Sequence, residues 1–236
     1  MIYTILYERF DAIIKIIMIL AFLTSAVFAI SLHEYAHGFA AYKMGDMTAK
    51  ANGRLTINPA AHFEPIGFLM FLLVGFGFAR PVPINPYNFK DIRKGLLITS
   101  LAGVTANLIQ AIVAFGLWVG IGYLLPVVVS IKALYYFLLY LFYVAFFSTL
   151  LNVALIAFNI LPIYPLDGYN VVASLSRTNN AYLRFMRQYG SYFLLGILLL
   201  GYFFDAIGLP QANLFRLYIT GLQKGVYKLY YLIVGG

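Results

Sequence analysis

His33, Glu34 and His37 form an H-E-x-x-H pattern inside an almost unbroken apolar stretch from about Ala12 to Tyr42. On a helix the two imidazoles fall at i and i+4 on one face, where both can bind one zinc ion. The intervening carboxylate is then free to act as a general base. Ionisable groups in a membrane-length helix are costly to bury and mark function by default. The pattern points to metal-assisted hydrolysis carried out within a bilayer.

A catalytic zinc needs three protein ligands and one open position. With eight acidic residues and three histidines in the chain, candidates for the third ligand are few. Asp167 is the strongest, lying between Pro165-Leu166 and Gly168 just beyond an apolar segment. His62 is the remaining imidazole. Plainer readings stand beside these: two histidines hydrogen-bonded between helices, and an Asp-Gly pair that merely makes a turn. A zinc so held lowers the pKa of its water toward ~7 and polarises a peptide carbonyl. Glu34 would accept the water proton and pass it to the leaving amine. His33 lies about ten residues before Lys43, which at ~1.5 Å per residue puts it roughly 15 Å below the helix end. Water and substrate must therefore reach a recessed cavity.

The elements that position these residues follow from composition. The 236 residues are 63% hydrophobic and only 10% charged, with a mean hydropathy of +0.87, whereas a soluble domain carries about 25% charged residues. Several stretches exceed the roughly 20 apolar residues that cross a hydrocarbon core, so an all-α, multi-pass membrane protein with about four to six transmembrane helices is expected. One intramembrane domain over 1–236 is the natural division, with a catalytic core at about 12–176 and C-terminal helices over 189–236. Cysteine is absent, which removes disulfides and thiolate ligands. Residues 1–11 lack the basic start and small-residue cleavage site of a signal peptide. The net charge of +8 marks the cytoplasmic side of a membrane protein better than it marks a nucleic-acid partner.

Segment one runs from about Ala12 to Met44, segment two from Gly95 to Val129, segment three from Leu134 to Leu161 and segment four from Tyr189 to Ile207. A short helix is expected over Tyr169–Ser176. Ile66–Val74 is too short to span, and with Gly75, Gly77 and the proline-rich run after it reads as a short helix or a re-entrant, β-hairpin-like element near the active site. The tail Asn213–Val234 suits either an interfacial amphipathic helix or a fifth span. If Ile66–Val74 does not cross, then Lys43, Lys50, Arg54, Arg80, Lys90, Arg93, Lys94, Arg177, Arg184 and Arg187 collect on one side. Arg9 and Lys132 fall on the other. That asymmetry obeys the positive-inside rule and sets the end of the His-Glu-His helix and Asp167 together near the cytoplasm.

Five collinear motifs resemble the site-2 protease family of intramembrane zinc metalloproteases. They are His33-Glu34-x-x-His37; Asn58-Pro59-x-x-His62-x-Glu64-Pro65; Gly77-x-Ala79-Arg80-Pro81-Val82-Pro83-x-Asn85-Pro86; Ala102-Gly103 with Asn107; and Asn159-x-x-Pro162-x-x-Pro165-Leu166-Asp167-Gly168. The resemblance covers roughly Ser31 to Val172. It implies one zinc per chain on His33, His37 and Asp167, Glu34 as base, and cleavage of transmembrane segments of other proteins, commonly after an earlier cut by another protease. With proline-rich Pro81-Val82-Pro83 it resembles the short prokaryotic form, for which no PDZ or CBS domain and no extra N-terminal helix are expected. A prokaryotic inner membrane and a cytoplasm-facing active site are the matching expectations. Glu64, Phe78 and Val104 depart from the usual Asp, Trp and Pro, away from the metal ligands.

Substrate contacts are sought at Asn159, His62, Pro81, Pro83 and Asn85. An unwound substrate needs partners for its freed amides, and Asn159 or the edge of Pro81–Asn85 could offer them by strand addition. His62 could equally cap the Asn58-Pro59 turn, and Asn159 and Asn107 could simply bond between helices. Gly116 and Gly120 form a G-x-x-x-G, read as packing. Two rivals remain: a metal transporter, for which the acidic residues are too few, and a catalytically silent relative that retains membrane partners.

Overall fold

The computed structural model describes residues 10–74, 80–176, 178 and 180–235. Arg9, Gly75, Gly77, Phe78, Ala79 and Arg177 of the motifs and charges above lie outside the described residues. The long helices are α1 (Ala12–Lys43), α4 (Ile92–Leu124), α5 (Lys132–Asn159), α7 (Ala181–Ala206) and α8 (Leu214–Val234). Three short ones join them: α2 (Thr48–Ala51), α3 (Pro65–Val74) and α6 (Asp167–Leu175). Of these, α1, α4, α5 and α7 are long and apolar enough to cross a membrane. The molecule is thus an all-helical, multi-pass membrane protein.

Local chemistry sets the helix ends. α1 stops where Gly45 takes φ of 110°, a conformation open to glycine and strained for other residues. The Asp91 side chain accepts the Lys94 amide and starts α4, and Asn180 does the same for α7 through Leu183. α7 therefore begins well before Tyr189, because the cap and the helix period outweigh the polar residues Arg184, Arg187 and Gln188 that dilute its first turns. Likewise α6 starts at Asp167 rather than Tyr169.

α1, α4 and α5 pack on one another as the core of the fold. Small residues line α1 where its neighbours approach, Ala21, Ala26, Ala29 and Ala41 all being buried. Phe22 meets Phe147 edge-on with centroids 5.5 Å apart. Ser25 donates across to the Val144 carbonyl at 2.9 Å. Large apolar side chains such as Ile16, Leu20, Ile109, Ile112 and Val113 instead face outward. Small and polar inside with bulky and apolar outside is the arrangement lipid favours, since lipid contact costs an apolar side chain nothing.

α6 lies against α4. α7 packs a stripe of Leu183, Met186, Leu194 and Leu198 onto Tyr169, Leu166 and their neighbours. α8 follows the bundle along its length: Phe215 touches Phe158, Gln223 reaches the Leu150 carbonyl and Tyr230 stacks on Trp118 with centroids 3.9 Å apart. Between the two readings of the tail, these contacts describe a helix running beside α4 and α5, not across their ends.

The expected hairpin takes another form. Pro65–Val74 is helical, and no strand occurs among the described residues. Arg80–Asn85 is an extended strap without a ladder partner among the described residues. Pro81 and Pro83 have no N–H to contribute to a ladder; side chains take the Val82 and Asn85 amides and the Arg80 and Pro81 carbonyls instead.

Candidate metal centre

His33 and His37 face inward from α1, 7% and 8% exposed. Their Nε2 atoms lie 2.9 Å apart. Asp167, at the first turn of α6, brings one carboxylate oxygen to 3.5 Å from His33 Nε2 and 3.3 Å from His37 Nε2. The three residues form a cluster that could hold a metal ion.

The rest of each imidazole is already committed. His37 Nδ1 lies 2.7 Å from the Thr99 carbonyl, which can only accept, so Nδ1 carries the hydrogen and Nε2 presents a lone pair. His33 Nδ1 lies 2.5 Å from Asn107 Oδ1. The Asn107 amide donates in turn to Asn152 Oδ1 at 2.6 Å, and Asn152 donates to the Ser148 carbonyl at 2.8 Å. With Asn107 Oδ1 as acceptor, His33 Nε2 is likewise left as a lone pair. Three acceptor atoms then converge, and the buried Asp167 oxygen has no hydrogen-bond partner among the described residues. Such a cluster is repulsive by itself and satisfied by a cation. Its edges of 2.9, 3.3 and 3.5 Å suit bonds of ~2.0–2.2 Å to one tetrahedral centre.

Two glycines make the convergence possible. A Cβ on Gly103 of α4 would stand 2.5 Å from His37 Nε2 and 2.6 Å from His33 Cε1. A Cβ on Gly168 would stand 2.3 Å from the Ile160 carbonyl oxygen, so its absence lets α6 start hard against the end of α5. Neither glycine has positive φ; each is required by close approach.

Glu34, one residue from His33, accepts the Val82 amide of the strap on Oε2 at 2.9 Å. Glu34, the two histidines and Asp167 share a cavity of about 340 Å3 with Pro81, Val82, Thr99, Asn159 and Asn170. Asn159 also donates to the Leu155 carbonyl at 3.0 Å. His62, Pro83 and Asn85 do not line this cavity: the His62 ring holds the Thr56 carbonyl at 2.8 Å, and Asn85 caps the turn at Tyr87.

The sequence reading passed over several residues here. Thr99 and Asn152 are buried polar groups in apolar helices, a signal that was present in the sequence. Asp46 and Arg54 are less visible. Asp46 is fully buried beyond the end of α1 and accepts from Thr48, Asn85 and Asn88. Burial alone would raise its pKa; the bonds from Thr48, Asn88 and Asn85 outweigh that and hold it below the ordinary 3.8. Arg54 donates to the Arg80 and Pro81 carbonyls at 2.5 and 3.3 Å.

Fold and site together define a multi-pass membrane protein with a buried His-His-Asp cluster able to hold a metal. Known proteins are similar to this chain in sequence. The chain is 39% identical over 152 residues to "Putative zinc metalloprotease YwhC" of Bacillus subtilis, a match covering 63% of this chain and 66% of that one. It is 29% identical over 161 residues to "Putative zinc metalloprotease Rip2" of Mycolicibacterium smegmatis, covering 61% of this chain and 52% of the relative. The protein of the same name in Mycobacterium tuberculosis is 26% identical over 159 residues, covering 60% of this chain and 51% of the relative. Each match thus spans less than two thirds of the relative's length. No family model and no solved structure matches the chain. The chain is thus homologous to proteins named as zinc metalloproteases, of the site-2 protease family in its short membrane form.

Proposed function

We propose that the chain is a zinc-dependent endopeptidase that hydrolyses a peptide bond in or beside the transmembrane segment of another membrane protein. The observation that carries this is the meeting of His33, His37 and Asp167 at one point, with Glu34 on the wall of the same cavity. His33 Nε2, His37 Nε2 and the Asp167 carboxylate would hold one zinc per chain. When bound, that ion supplies Lewis acidity and a water acidic enough to lose a proton near neutral pH.

The protein's own part is positional. Thr99 and Asn107 fix both rings with Nε2 toward the cluster, the outer support a catalytic metal site needs. Glu34 Oε2 is held by the strap, and its other oxygen is the one available to take up a proton and return it to the leaving amine. The strap and Asn159 border the cavity where an unwound substrate backbone would lie, and the amides of such a backbone need partners there. Residues 1–236 act as one intramembrane domain in this reading. The cations from Lys43 to Lys94 support a reading with the active site toward the cytoplasmic face of a prokaryotic membrane.

Zinc-loaded protein reconstituted in liposomes should cleave a helical single-span substrate. Glu34→Gln should lower the rate by at least ~100-fold while zinc stays bound. Undiminished turnover in that variant removes Glu34 from its role, and metal flux without any cleavage would favour transport.

A further inference from the structure

The strap Arg80–Asn85 is tied to α1 and the turns that follow it at several points. Arg54 holds the carbonyls of Arg80 and Pro81, and the Arg80 amide donates to the His62 carbonyl at 3.0 Å. The Val82 amide donates to Glu34. At the far end the Asn85 amide donates to Asp46 Oδ2 at 2.7 Å. The two Asp46 oxygens divide their work. Oδ1 serves the turn, accepting the Thr48 amide and hydroxyl and the Asn88 side chain. Oδ2 serves the strap alone.

The Asn85 tether lies three positions along from Val82, roughly 10 Å of extended chain. A flexible segment of that length would absorb a shift at one end. This one contains Pro83, is preceded by Pro81 and is followed by Pro86, so its backbone is stiff and displacement at Asn85 is passed on to Val82. Val82 has little room of its own, since a Cβ on Gly38, one helical turn after Glu34, would meet its Cγ1 at 3.1 Å.

We propose that Asp46 is a positioning residue: by holding the Asn85 amide it sets the register of the proline-stiffened strap and so delivers the Val82 amide to the Glu34 carboxylate. Asp46 touches neither the metal cluster nor the cavity and acts on the base only through the strap. The inference rests on Glu34 being that base.

The chain has no cysteine, so a Gly38→Cys/Val82→Cys pair reports the strap's position by its rate of disulfide formation, whatever the protein does chemically. Asp46→Asn separates the two jobs of the carboxylate. Its amide oxygen can keep the turn bonds of Oδ1, while its NH2 group faces the Asn85 N–H donor. In that background cross-linking should slow about tenfold, the scale of losing a hydrogen bond to a charged group. In the cysteine-free chain, Asp46→Asn should lower kcat about tenfold with KM within about twofold and zinc content unchanged. Thr48→Val cuts a turn bond and leaves the tether; it should cross-link like its parent.

An unchanged cross-linking rate in Asp46→Asn overturns the proposal, as does an equal loss in Thr48→Val, which would assign the effect to the turn. Slowed cross-linking with undiminished turnover overturns the link to Glu34. A wild-type protein that cleaves nothing counts against the protease reading alone, because cross-linking still decides whether Asp46 sets the strap.

Discussion

A single hydrogen atom on Gly103 stands where any other residue would drive a carbon into the imidazole pair. Gly103→Ala should therefore push α4 from α1 or tilt both rings off their acceptors. Overpacking of this kind costs ~1–3 kcal/mol, and off-axis rings hold a metal poorly. We expect a lower thermal midpoint and a zinc affinity weakened at least ~10-fold, read by competition with a chelator; wild-type affinity would show that the helices yield without moving the rings. Asp167→Ala acts on the same site from the opposite wall. It removes one of the three proposed ligands and should empty the site at zinc concentrations that saturate the wild type. Metal analysis of the purified variant decides this, and full occupancy would strike Asp167 from the ligand set.

Among the elements, the strap differs most from its sequence description. Its proline content suggested a hairpin edge, yet Asp46, Arg54 and Glu34 hold it in the role that strand neighbours would otherwise play. One consequence is a pH dependence of known sign. The folded-state pKa of Asp46 is lowered, so its stabilising contribution is complete above the unfolded value of 3.8 and is lost only as pH falls below that, through the folded value. The difference in thermal midpoint between wild type and Asp46→Asn should be constant from neutral pH down to about 4 and shrink only in stronger acid. A difference that vanished already near pH 6 would contradict the hydrogen-bond set seen here.

For the whole molecule, the arrangement of small and polar residues inside and bulky apolar ones outside fits a bilayer and not water. Two loops then mark opposite faces: the segment before α4, with Lys90, and the segment after it, with Pro126. Because the chain lacks cysteine, single cysteines at these positions can be labelled in intact cells with an impermeant maleimide. Cysteine at Pro126 should react and cysteine at Lys90 should react only after permeabilisation. The reverse pattern would invert the assigned topology.

The sequence by itself determined the solvent, through its apolar composition, and the pairing of His33 with His37 and Glu34. Helix geometry fixes which residues share a turn, so spacing alone was enough. It also made segments one to three legible to within a few residues at most ends, because apolar length and Asp, Asn, Gly and Pro signals act locally. Only the tertiary structure decided that Asp167 reaches the histidines, that Gly103 leaves them room, that Asn107 and Asn152 form a buried file behind His33, and that Asp46 and Arg54 grip the strap. These relations join residues far apart in the chain through packing of one helix on another. Such contacts have no period along the sequence, so they become visible only when the helices are in place.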